Sequence, residues 1–109
     1  MVNYNSTFVN TSGYVSTPLK LAVAVRALRH AFDMSQTELA DLAKCSRPTI
    51  NRIESIDKAS PRTDTIERLM QVFRDRGVEV QITDSEVMIR FSAEAINMAT
   101  QTSTDTSEK

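Results

Sequence analysis

The stretch SQTELADLAKCSRPTINRIES, residues 35–55, contains two segments of helical spacing that cannot form one continuous helix. Cys45, Ser46 and Pro48 interrupt it, because a proline inside a helix removes a hydrogen bond and clashes with the preceding turn. The same residues suit a fresh start. Ser46 is an N-cap residue, and Arg47 and Pro48 then fall in a first turn whose N–H groups have no intrahelical partner. Ser35 with Glu38 three residues on is a capping-box pattern. The spacing therefore predicts one helix from Gln36 to about Lys44 and a second from Ser46 to about Ser55.

Two helices joined by so short a turn cross steeply, so the residue at the crossing must be small. Ala40 has that size, and Leu39, Ala43, Cys45, Ile50 and Ile53 form the expected shared core. With Ile50 and Ile53 buried, the opposite face of the second helix carries Pro48, Asn51, Arg52 and Ser55, with Arg47 at its edge. Arginine pairs two donors with a guanine edge, asparagine does the same for adenine, and a helix N-terminus favours phosphate. These residue types also populate ordinary solvated faces, so both readings stand on helical geometry alone.

Working outward, Leu21, Val25, Leu28 and Phe32 recur at helical spacing and predict a first helix from about Leu19 to Phe32. Pro18 precedes it, Asp33 follows it, and Lys20, Arg26 and Arg29 lie off its apolar stripe. After the loop IDKASPRT, Asp64 with Glu67 resembles a capped start. Ile66, Leu69, Met70 and Phe73 stripe a fourth helix ended by Gly77. The period then changes to two. VEVQI at 78–82 and VMIRF at 87–91 alternate apolar and polar residues around TDSE, a hairpin pattern. A lone hairpin is marginal in water, so this one must cover the helices, a second copy of itself, or both. Homodimerisation through Val78, Val80, Ile82, Val87, Ile89 and Phe91 is the preferred inference.

The expected fold is thus mainly α with a small C-terminal β-hairpin. Residues 1–17 read as a flexible arm in which Tyr4, Phe8 and Tyr14 could dock on a partner. Residues 18–77 form the helical domain, 78–92 the dimerising hairpin, and 93–109 a disordered polar tail.

Composition narrows the function. The 109 residues suffice for one domain without a large catalytic cleft. The net charge is −1, unevenly spread. Residues 19–76 hold eleven Lys/Arg against eight Asp/Glu, and the remainder two against six. A mildly basic body can still meet DNA, since phosphate contact depends on the local face. The single cysteine excludes an intrachain disulfide and a multi-cysteine zinc site and fits a reducing compartment. No signal peptide or membrane-spanning run is evident, so a cytoplasmic, soluble protein is expected. His30 is the only histidine, and two glycines cannot build a phosphate loop. No catalytic, metal or cofactor site is expected, and Cys45 reads as a small buried apolar side chain.

From Leu19 to about Phe73 the chain resembles the helix-turn-helix domain of the Cro/C1-type (XRE) family of bacterial and phage regulators. The resemblance rests on small Ala40, apolar Leu39, Ala43, Cys45, Ile50 and Ile53, on SQTELA opening the first of the paired helices, and on SRPTINRIES as a recognition helix. It implies a lambda-repressor-like bundle of four to five helices and a repressor that binds a pseudo-palindromic operator in double-stranded DNA as a homodimer. It places Gln36 and Thr37 at the helix start that meets phosphate. Ser46, Arg47, Pro48, Thr49, Asn51 and Arg52 fall along the groove, and Lys58, Ser60 and Arg62 in a phosphate-holding loop. It also matches Arg29 and Glu54 to positions that form a salt bridge in some relatives.

Two departures stand out. Lys44 occupies a turn position where the family favours glycine, at a cost of about 1 kcal/mol if its backbone is left-handed. Pro48 replaces a residue that often hydrogen-bonds to bases, leaving more of the specificity to Arg47 and Arg52. The stretch from TPLKLAVAVRALRH through VEVQI also resembles HipB-like antitoxins, for which a toxin protein is a further partner. A protein-interaction adaptor that keeps the fold without binding DNA is the alternative from another class.

Overall fold

The computed structural model describes residues 16–56 and 61–107, the last six of these as backbone only. Within them are five helices and a two-stranded antiparallel sheet. In chain order these are α1 (Thr17–Ala31), α2 (Gln36–Ala43), α3 (Arg47–Glu54), α4 (Thr63–Arg74), β1 (Val78–Ile82), β2 (Val87–Phe91) and α5 (Ala93–Ser107). The fold is the expected mainly helical one with a C-terminal hairpin. The N-terminal arm lies outside the described residues up to position 15.

α1 begins with Pro18 in its first turn and buries the predicted stripe of Leu21, Val25, Leu28 and Phe32, widened by Ala22 and Ala24. α2 opens on a complete capping box. Ser35 Oγ accepts from the Glu38 N–H at 3.0 Å, and Glu38 Oε1 accepts from the Ser35 N–H at 2.7 Å. α4 starts two residues earlier than its Asp64–Glu67 pattern suggests. Arg62 is its N-cap residue without a side-chain cap, and Asp64 lies inside the first turn. The core joins these helices through Leu28, Leu39, Ile50, Leu69 and Phe73, all fully buried. Each such side chain contributes about 1.5–3 kcal/mol relative to exposure.

The hairpin is in the register its alternation predicts, with Val78 opposite Phe91, Val80 opposite Ile89 and Ile82 opposite Val87. That apolar face turns onto the helices of its own chain. Val78 is buried, while Val80, Ile89 and Phe91 pack partly against the core. Phe32 is the hinge of this packing, with ring centroids 6.2 Å from both Phe73 on α4 and Phe91 on β2. Lys20, expected off the stripe, is buried instead. The hairpin folds back over α1, and the Lys20 ammonium donates to the carbonyls of Thr83 and, at 3.2 Å, Asp84. A buried ammonium requires such acceptors.

The disordered tail expected from residue 93 is corrected over its first part, where α5 runs to Ser107. Ser92 caps it, its Oγ accepting from the Ala95 N–H at 3.1 Å, and Ala95 is fully buried. Ala99, four residues on, packs partly against the core. Two small alanines make a contact too narrow to read as an apolar stripe.

Gly77, two residues past the α4 C-cap, sits at φ +86°. A Cβ there would run into the Ser92 hydroxyl and come within 3.2 Å of the Ala95 nitrogen. Gly77→Ala is therefore expected to strain the backbone and displace the α5 cap together, costing about 1–2 kcal/mol. A lowered urea midpoint with an unchanged slope would show it.

Candidate nucleic-acid interface

The turn between α2 and α3 is made as its sequence demands, without glycine. Lys44 takes the left-handed conformation itself, at φ 57° and ψ 48°. Its cost is offset locally: the Cys45 N–H donates to Ala40 O at 3.0 Å, and Arg68 Nε on α4 donates to Ala43 O at 2.8 Å. Arg68 is a residue that sequence reasoning missed. Its only local signal is the i, i+4 spacing from Asp64, with which it pairs at 3.4 Å. Cys45 is half-buried against the core instead of fully buried, and burial, partly countered by Arg68, pushes its thiol pKa up.

α3 then starts on Ser46, whose Oγ accepts from the Thr49 N–H at 3.3 Å and lies 2.9 Å from the Thr49 hydroxyl. Ile50 and Ile53 face the core, so Arg47, Pro48, Asn51 and Arg52 stand exposed on the far side. Thr49 is half-buried at the edge of this face with its hydroxyl turned to Ser46. Pro48 lies in the first turn, where it interrupts nothing. Thr37 is exposed and Gln36 half-buried at the start of α2. Arg62 is exposed and held 3.2 Å from Asp64. Lys58 and Ser60 lie outside the described residues.

The far end of α3 is anchored by charge. Glu54, exposed by only 5 %, accepts two hydrogen bonds from the Arg29 guanidinium, Nε to Oε2 at 2.7 Å and Nη2 to Oε1 at 2.9 Å. Arg29 also donates through Nη1 to Met34 O at 3.0 Å, and Gln36 Nε2 donates to Glu54 Oε1 at 3.1 Å. One carboxylate thus ties α1, the loop after it, α2 and α3. Gln36 braces α3 through this bond. Burial alone would raise the Glu54 pKa, but the hydrogen bonds from Arg29 and Gln36 and the Arg29 charge outweigh it and hold the carboxyl below its ordinary range.

Of the six hairpin residues expected to dimerise, Val78 is buried, Val80, Ile89 and Phe91 pack partly against the helices, Val87 is half-buried and Ile82 stands exposed. Their face is the one turned onto the helices, since Val78 and Phe91 are needed to cover Phe32 and its neighbours. The outward face carries Glu79, Gln81, Met88 and Arg90, with Glu79 and Arg90 paired across the strands. Among the described residues no group of three His, Cys, Asp or Glu side chains is placed to hold a metal, and no helix is long and apolar enough to cross a membrane.

A family model described as a helix-turn-helix domain matches residues 20–81, more than half of the chain, and the chain belongs to that family. The matched span runs from the start of α1 to the end of β1 and contains the turn, the exposed face of α3 and the Arg29–Glu54 tie. It places the protein among DNA-binding regulators built on this domain. No curated protein and no solved structure matches the chain.

Removing one partner of the buried tie leaves the other charge unpaired, so Arg29→Ala is expected to cost about 3–5 kcal/mol in chemical denaturation. The Glu54 contribution also has a definite pH dependence. Its folded pKa lies below the unfolded value near 4.5, so its stabilisation is fully present above that pH. It fades as pH falls through the folded value. The stability gap between the wild type and Glu54→Gln should narrow on acidification below about pH 4.5.

Proposed function

We propose that this protein is a sequence-specific repressor that binds a pseudo-palindromic operator as a homodimer, with α3 of each subunit in a major groove. The observation that carries this reading is the division of α3. Ile50, Ile53 and Glu54 fasten it on one side, and Arg47, Pro48, Asn51 and Arg52 stand exposed on the other. An exposed face on a helix held at both ends gives side chains a defined position against base edges. Arg47 and Arg52 supply the forks suited to guanine, Asn51 the amide suited to adenine, and Pro48 an apolar contact such as a thymine methyl. Thr37 and Arg62 flank this face and suit phosphate, which sets register without reading sequence. Occupying the operator is sufficient to block transcription from it.

A second copy is needed to read two half-sites roughly 34 Å apart. Since Val78, Val80, Ile89 and Phe91 of the inner face already pack on the chain's own helices, we take the outer face as the dimer surface. It is a depression of about 870 Å³ around Met88, which is 45 % exposed. Its paired Glu79 and Arg90 give the face both signs of charge, so two copies can meet there without net repulsion.

Selection of bound sequences from a random DNA pool tests the recognition face. Arg47→Ala and Arg52→Ala should each relax preference at one base position by about 1–3 kcal/mol. Unchanged preference and affinity in both variants would overturn the assignment. For the dimer, Met88→Lys should leave the thermal midpoint nearly unchanged and shift sedimentation from dimer to monomer.

A further inference from the structure

Among the described residues, three that are not glycine hold the left-handed conformation: Asp33 at φ 56°, Lys44 at φ 57° and Ile56 at φ 58°. Two of them are accounted for within the chain. Aspartate enters this region readily because its short polar side chain can bond locally. Lys44 makes the turn between α2 and α3, fixed by the bonds that Cys45 and Arg68 donate to the end of α2. Ile56 is different. A left-handed backbone crowds Cβ against the following carbonyl, and a branched Cβ suffers most.

Ile56 follows the α3 C-cap Ser55, a position where glycine or asparagine closes a helix without strain. The backbone bonds there do not depend on the side chain. The Ser55 N–H donates to Asn51 O at 2.9 Å and the Ile56 N–H to Ile53 O at 3.3 Å. Burial does not offset the strain either, because Ile56 is 42 % exposed and stands outside the core that takes in Ile50 and Ile53. A strained side chain that its own fold leaves in solvent points to a contact made outside the fold. Its place indicates with what. Ile56 sits at the exit of α3 beside the exposed Asn51, Arg52 and Ser55, so a duplex seated on that face runs past it. We infer that Ile56 is a further DNA-contacting residue, an inference that rests on reading α3 as the recognition helix. Its side chain is buried on the carbon surface of the duplex, a thymine methyl or a deoxyribose, at one end of each half-site. Both present apolar carbon to an aliphatic side chain. A glycine would suit the backbone and forfeit this contact.

The test measures stability and DNA affinity side by side, on the full-length chain and on duplexes selected with it from a random pool. Ile56→Gly and Ile56→Asn relieve the backbone, so each should hold or raise the thermal midpoint while weakening DNA binding about five- to tenfold. Ile56→Val, still branched and apolar, should bind within about threefold of the wild type. Replacing thymine by deoxyuridine at each position of the selected duplex tells the two carbon surfaces apart. A methyl contact weakens wild-type binding at one position and leaves Ile56→Gly unaffected there, whereas a deoxyribose contact shows no such position. Unchanged affinity in Ile56→Gly and Ile56→Asn would overturn the inference. So would a fall in thermal midpoint that accompanies their loss of affinity, which marks a structural role. Arg52→Ala separates the two readings. Weaker binding by Arg52→Ala with none lost in the Ile56 variants sinks this inference alone. Full binding by all of them, or a pool that yields no bound duplex, sinks it together with the recognition-helix reading.

Discussion

The Arg29–Glu54 pair is the constraint on which the placement of α3 depends. A short helix such as α3 has little stability of its own, and only Ile50 and Ile53 give it apolar anchorage. Glu54 adds a charged anchor at its last turn, where two hydrogen bonds from Arg29 and one from Gln36 satisfy a carboxylate almost removed from water. Burying such a pair is costly unless its geometry is good and its remaining donors are used. Here the contact is bidentate and each guanidinium nitrogen has an acceptor, Nη1 on Met34 O. The outcome is orientational: α1, α2 and α3 cannot shift independently without breaking a bidentate contact.

The other end of α3 is held by the backbone. Lys44 adopts a conformation that glycine reaches more cheaply, and the strain persists because its neighbours hold it in place. Arg68 reaches from α4 to the last carbonyl of α2, so the turn is coupled to the fourth helix. The exposed face between the two anchorages is therefore presented by a rigid frame, which is what discrimination between base edges requires.

Phe32 plays the corresponding part for the hairpin. Its contacts with Phe73 and Phe91, together with the Lys20 ammonium on the hairpin turn, fold β1 and β2 back over α1. A two-stranded sheet gains stability by giving its apolar face to an existing core. That choice buries Val78, half-buries Val80, Ile89 and Phe91, and leaves Glu79, Gln81, Met88 and Arg90 facing outward.

By itself the sequence determined the local elements and the break between them. Periodicity places α1 to α4 within about three residues and both strands without error, and Ser35, Ser46 and Pro48 mark the helix starts because capping and proline chemistry act over a few residues. The exposed face of α3 follows from two isoleucines at helical spacing. Resemblance to known helix-turn-helix domains, not periodicity, pointed to Arg29 and Glu54. Tertiary structure alone decided the burial of Lys20, the support of the turn by Arg68, the extension of α5 and the side on which the hairpin packs. In each case the deciding partner is distant along the chain: Thr83 for Lys20, Ala43 for Arg68, Gly77 for Ser92, Phe32 for Phe91. Patterns of neighbouring residues report which face of an element is apolar, but long-range packing chooses what that face meets.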